Sequence, residues 1–174
     1  GSEMCIRDSF QADRMRWSES IFSLGNGRFG QRGHFEEPYS SDSYRGAFVA
    51  GITFLDKTRV GWWKNGFPQF YTRIPNAPDW SSISLRLIDE ELDLAQWDVD
   101  SFNRRLDMKA GISYRDAEVT SSRGNKLRLH VEHIANMAHP NLCLIKYSVT
   151  SVNYTGKVSL VPILDGDTAN PVRH

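Results

Sequence analysis

The run Lys126 to Glu132 sets Leu127, Leu129 and Val131 at alternate positions against Lys126, Arg128, His130 and Glu132. A period of two belongs to a strand with one face in a core and the other in water, whereas a helix needs apolar residues every three to four positions. The pattern recurs. Ile83, Leu85 and Leu87 alternate with Ser84 and Arg86, and Ile145, Tyr147 and Val149 are followed by Val158 and Leu160. Turn residues punctuate these runs: Ser122-Arg123-Gly124-Asn125 reads as one hairpin turn, and Asn153-Tyr154-Thr155-Gly156 as a second, flanked by the strands around Tyr147 and Leu160. From Trp17 onward no segment keeps a helical period for three turns. The sequence therefore predicts an all-β fold, an antiparallel β-sandwich.

A chain of 174 residues fits about one domain of this kind. Its 21 Lys and Arg balance 21 Asp and Glu, so the net charge is zero. A protein that follows phosphate backbones carries a basic excess, and nucleic acid is accordingly not an expected partner. The longest strongly apolar stretch without a charge, Ala47 to Leu55, is far shorter than the ~20 residues that cross a bilayer as a helix, so no membrane is expected either. Cys5 and Cys143 lie at opposite ends with no metal or redox spacing and read as free thiols. Gly1-Ser2 has the look of a non-native leader, Glu3 to Ser9 follows no period, and residues 1–9 are set aside from the fold on that ground.

Between Val60 and Trp80 the character changes, with Trp62, Trp63 and Trp80 interleaved with Pro68, Pro75 and Pro78. Indole faces cover the C–H patches of a pyranose while amides and carboxylates take its hydroxyls, so Trp62, Trp63, Asn65, Asp79 and Trp80 form the candidate sugar-facing or interface set. The competing reading makes the same indoles plain core or a contact to another domain.

Gly25-Asn26-Gly27-Arg28-Phe29-Gly30 matches the G-x-G-x-x-G spacing of dinucleotide sites. That chemistry needs a helix N-terminus after the glycines, and Gln31-Arg32-Gly33-His34-Phe35 continues as alternating chain instead. Gly25, Asn26, Gly27, Gly30, Arg32 and Gly33 are thus expected to make a turn and a close strand approach. His130 and His133, three apart on a strand, face opposite ways, so no metal site is expected of them. Glu36-Glu37 and Glu90-Glu91 look like solvated charge. Asp165-Gly166-Asp167 reads as a loop-stabilising turn that could alternatively hold a polar ligand. Asn153-Tyr154-Thr155 also fits a glycosylation acceptor but is read as a turn.

Taken in order, several segments resemble the N-terminal domain of glycoside hydrolase family 65, which includes maltose, kojibiose and trehalose phosphorylases and related hydrolases. They are Glu19-Ser20-Ile21-Phe22-Ser23-Leu24-Gly25-Asn26-Gly27, Gly30-Gln31-Arg32-Gly33, Phe35-Glu36-Glu37, the strand from Gly46 to Gly51, Asn76-Ala77-Pro78-Asp79-Trp80, Arg105-Leu106-Asp107-Met108, and Leu164-Asp165-Gly166-Asp167 with Asn170. The stretch Asp56 to Gly66 looks closest to the kojibiose-acting branch.

The resemblance implies a large super-sandwich domain preceding an (α/α) barrel, in enzymes that cleave α-glucosidic disaccharides with inversion. A barrel glutamate acts there as general acid, with inorganic phosphate or an activated water as the attacking group. On this reading residues 10–174 are part of that β-sandwich, incomplete at its C-terminal end, and no catalytic residue falls on the chain. No cofactor is expected, inorganic phosphate being a co-substrate of the whole enzyme if it is a phosphorylase. The expected partners are the barrel of the same polypeptide, an α-glucoside disaccharide and a second subunit in a homodimer. The alternatives are a free-standing carbohydrate-binding module and a purely structural scaffold.

Overall fold

The computed structural model describes residues 5–58, 66, 68–168 and 170. Trp62, Trp63 and Asn65 lie outside the described residues. In chain order the elements are β1 (Cys5–Asp8), a 3-10 turn (Ala12–Arg14), α1 (Met15–Ile21), β2 (Leu24–Gly25), β3 (Phe29–Gln31), β4 (Ala47–Val49), β5 (Phe54–Lys57), β6 (Phe70–Arg73), β7 (Asp79–Arg86), β8 (Asp98–Asp107), β9 (Ile112–Thr120), β10 (Lys126–Ala135), β11 (Cys143–Ser151) and β12 (Ser159–Asp165). Every strand pairing among the described residues is antiparallel. Among the described residues the fold is all-β apart from one short helix. No helix among the described residues is long and apolar enough to cross a membrane.

The main sheet has the order β1-β8-β9-β10-β11, and the smaller sheets are β12-β7, β2-β3-β4 and β5-β6. Alternation decides which side of the main sheet is buried. Ala117 and Val119 of β9 and Leu127, Leu129 and Val131 of β10 share one face, and all five are buried. Leu85 and Leu87 of β7 and its following turn close over them with Leu92, Leu94, Trp97, Phe35 and Met15 to form one core. Burying a Leu of this kind contributes roughly 1.5–3 kcal/mol, which makes the Leu85, Leu127 and Leu129 layer the principal source of cohesion.

Three features differ from the expectations. Trp17 to Ile21 is helical, not extended. Met15, Ser18, Glu19 and Phe22 are all buried at helical spacing, but Ser18 and Glu19 are polar, so the apolar period that would announce a helix is missing. Asn153 to Gly156 does not close a hairpin: β11 pairs with β10, while β12 crosses to the other sheet and pairs with β7 from Ser159↔Arg86 to Asp165↔Asp79. Pro162, which has no N–H for a ladder, sits on β12 where that strand is an edge. Finally, Cys5–Asp8, set aside on sequence grounds, runs along β8 as the edge strand β1. Its side chains pair with β8 without a period of their own, so no alternation marked it.

Candidate functional site

The segment Asn76-Ala77-Pro78-Asp79-Trp80 enters β7 and divides two clefts. Both touch Ala47 and Ala77, and Ala77 N–H is tied to Ala47 O at 2.7 Å. On one side Trp80 joins Phe29, Phe48, Val49, Pro78, Leu142 and Leu164 around an apolar cleft of about 350 Å³. On the other, Arg45, Asn76, Asp79, Asp165 and Asp167 line a polar cleft of about 170 Å³. Four residues singled out on sequence grounds, Asp79, Trp80, Asp165 and Asp167, thus meet at one place although nearly half the chain separates the pairs.

Asp79 is buried and fully engaged. Its Oδ1 accepts from Ser81 N at 3.0 Å and Ser81 Oγ at 2.8 Å, and its Oδ2 from Arg45 Nε at 2.9 Å and Ser82 Oγ at 3.1 Å. His34 Nε2 lies 3.4 Å from the same Oδ2. Burial works against the ionised carboxylate, but His34, Arg45 and the Ser81 N–H outweigh it and hold its pKa well below the usual range. The group fixes the start of β7 and leaves Trp80, half-buried, on the cleft wall. The Trp80 indole is braced by the His133 ring at 6.3 Å between centroids. Asp165 and Asp167 are exposed, and Asp165 Oδ1 accepts from Asp167 N at 2.9 Å, the turn expected around Gly166.

The glycine-rich segment is a hairpin between β2 and β3, as its failed dinucleotide context suggested. Gly27 takes φ +82°, which a side chain rarely tolerates. Asn26 Oδ1 accepts from Arg28 N at 3.0 Å and Phe29 N at 2.8 Å, while its Nδ2 donates to Asn136 O at 2.9 Å and Pro140 O at 3.1 Å. One amide thereby shapes the hairpin and straps it to the β10–β11 connection beside the apolar cleft. Gly25 and Gly30 are cross-strand partners in that hairpin. Arg32 spans from Tyr44 O at 2.7 Å to Arg16 O at 2.8 Å, and Gly33 N–H donates to Glu19 O at 2.8 Å.

Behind the clefts lies a buried ionic cluster that the sequence reading missed. Glu36 and Glu37, expected in water, are both buried and share Arg115 Nη2, with Glu37 Oε1 at 2.7 Å. His133 Nε2 lies 2.5 Å from Glu36 Oε1, and Tyr147 OH donates to Glu37 Oε1. Burial opposes the ionised form of Glu36, yet Arg115 and His133 override it and keep that carboxyl strongly acidic. Tyr147 is pushed far up by burial and by the Glu37 charge, so it stays a phenol. The one signal available beforehand was the alternation of β9 and β10, which carries Arg115 and His133 onto the same face as Ala117 and Val131. His130, three residues from His133, is on the opposite face with Asp116 and Glu132, as expected. No group of metal-ligating side chains occurs among the described residues.

The fold is thus an antiparallel β-sandwich with an apolar cleft at Trp80, a polar cleft beside it and a buried ionic cluster behind. The model of the glycosyl hydrolase family 65 N-terminal domain matches residues 5–174, and the chain belongs to that family. It is 40% identical over 163 residues to maltose phosphorylase of Bacillus subtilis (strain 168), covering 94% of this chain and 21% of that protein. Over 169 residues it is 32% identical to α,α-trehalose phosphorylase of Thermoanaerobacter brockii, covering 95% of this chain and 22% of that one. The fold superposes on a putative kojibiose phosphorylase from human microbiome with a TM-score of 0.86 and 26% identity, covering 97% of this chain and 22% of that structure. The chain spans about a fifth of the length of these relatives.

Proposed function

We propose that this domain is the non-catalytic N-terminal β-sandwich of an inverting α-glucoside phosphorylase or hydrolase, and that it braces the catalytic barrel and shapes the rim of its active site. The observation that carries the reading is the convergence of Asp79, Trp80, Asp165 and Asp167 on paired apolar and polar clefts, in a domain whose relatives are about five times as long. An apolar cleft with exposed Leu142 and Leu164 on its border is a surface that gains by being covered. Relatives named as maltose, trehalose and kojibiose phosphorylases lie between 26% and 40% identity, so the substrate is proposed as a class, α-linked glucose disaccharides. Inorganic phosphate is the proposed second substrate of the phosphorylase form, and a homodimer the proposed assembly.

Assay of this chain alone against kojibiose, maltose and trehalose, with and without phosphate, is expected to give no turnover above buffer. Cleavage by the isolated domain would overturn the proposal. Titration calorimetry with the same sugars separates it from a free-standing binding module: a module binds at millimolar sugar and loses binding in Trp80→Ala, while a barrel-dependent domain shows no heat.

A further inference from the structure

Arg104 of β8 and Arg115 of β9 are direct partners in the antiparallel ladder, and both side chains are buried. Like charges placed opposite each other on one face of a sheet repel, and here Glu36 and Glu37 meet Arg115 while Asp8 lies 3.8 Å from Arg104. Their guanidinium carbons lie 5.6 and 5.1 Å from the Phe35 ring centroid, so one aromatic ring serves both cations. Both arginines also line a small cavity of about 30 Å³, together with Gln31, His34, Glu36, Ser113 and others. That space accommodates one or two waters or a single monatomic ion, and no sugar or phosphate.

The polar groups on this lining are short of acceptors. Gln31 Nε2, Arg104 Nε, Arg115 Nε and Arg115 Nη1 are buried and have no hydrogen-bond partner among the described residues. Glu36, the carboxylate on the lining, has Oε1 against His133 and Oε2 against Arg115 Nη2. His34 Nδ1 is also unpartnered; it donates in the charged ring and in the neutral Nδ1–H tautomer and otherwise accepts. Arg104 shows the strain of the arrangement: burial and the Arg115 charge bring its pKa down to about 10.

We propose that this cavity is a halide site, in which one chloride-sized anion accepts from the unpartnered donors of Gln31, Arg104 and Arg115. An anion satisfies four donors without needing acceptors for protons of its own, as a water would.

Two measurements on the chain as it stands decide the matter. Crystals grown in sodium bromide are expected to show an anomalous peak in the cavity between Gln31, Arg104 and Arg115. Thermal unfolding at constant ionic strength is expected to give a midpoint that rises and saturates with chloride or bromide against an acetate background. The Gln31→Leu substitution removes one neutral donor and should weaken the halide response several-fold. A midpoint that follows ionic strength whatever the anion, or density at the site without anomalous signal, marks a water site and overturns the proposal.

Discussion

Gly33 lies against Phe22 so closely that a Cβ on it would come within 2.6 Å of Phe22 Cβ and 2.7 Å of Phe22 O. The second of these atoms is backbone and sits at the end of α1, whose Glu19 carbonyl already accepts the Gly33 N–H. Relief would therefore have to move the helix. Gly33→Ala is expected to destabilise the domain by about 1–3 kcal/mol or more, read as a lower urea midpoint with an unchanged m-value. Gly27→Ala, at a position with open space but φ +82°, should cost less than Gly33→Ala. An equal loss in the two variants would argue against the close approach as the cause.

Arg115 holds two buried carboxylates, and removing it strands both. Arg115→Met is expected to cost about 3–5 kcal/mol at neutral pH. Lowering the pH should restore part of that loss, because Glu36, no longer held ionised by Arg115, can then be buried as a neutral acid. Circular dichroism melts from pH 7 to pH 4 would show the variant gaining relative to wild type. A variant that loses ground in parallel with wild type would contradict the ion-pair account.

In the unmodified domain the pH dependence runs the other way. Glu36 and Asp79 are more acidic in the fold than their ordinary values of 4.5 and 3.8, so the unfolded chain takes up protons first as pH falls. Their stabilisation is complete above about pH 5 and declines through the acid range below it. His130 contributes with opposite sign. Hydrogen bonds to Asp116 and Glu132 raise its pKa above 6.5, so its stabilisation is present below that value and is lost as pH rises through the folded pKa. Urea midpoints are expected to fall steeply on the acid side and gently on the alkaline side, with His130→Gln flattening only the latter.

Asn26 allows its two roles to be separated. Asn26→Asp keeps the Oδ1 acceptor that shapes the β2–β3 hairpin but loses the donor to Asn136 O and Pro140 O, whereas Asn26→Ala loses both. With each hydrogen bond worth about 0.5–1.5 kcal/mol net, both variants lose stability, and the aspartate, whose carboxylate oxygen faces two carbonyl oxygens, should lose at least as much as the alanine at neutral pH. Hydrogen exchange should then speed up at Arg28 and Phe29 only in Asn26→Ala. Faster exchange there in Asn26→Asp would show that the tether, not the acceptor, orders the hairpin.

The strands of the main core were legible because Leu127, Leu129, Val131, Leu85 and Leu87 bury apolar groups at a period of two, and nothing else competes for that pattern. Asp79 and Trp80 were found from their neighbours in the motif, and their meeting with Asp165 and Asp167 depended on the β7–β12 pairing. That pairing was hidden, since a turn sequence such as Asn153 to Gly156 reports a change of direction and says nothing about which strand receives the chain. The ionic cluster was hidden for a different reason. Adjacent glutamates look like surface charge unless their counter-ions are known, and Arg115 and His133 are brought to Glu36 and Glu37 only by tertiary packing. Ser18 and Glu19 concealed α1 in the same way, as buried polar groups that interrupt an apolar face.

The crossing of β12 to β7 also sets the order in which the domain can be completed during synthesis. β7 is made before four of the five strands of the main sheet, but its ladder partner leaves the ribosome only after those four, β8, β9, β10 and β11, have been translated. Those four strands pair with their sequence neighbours and can assemble as they emerge. Through that interval the edge from Ser82 to Arg86 stands open, making the nascent chain most vulnerable to wrong strand pairing just before it closes.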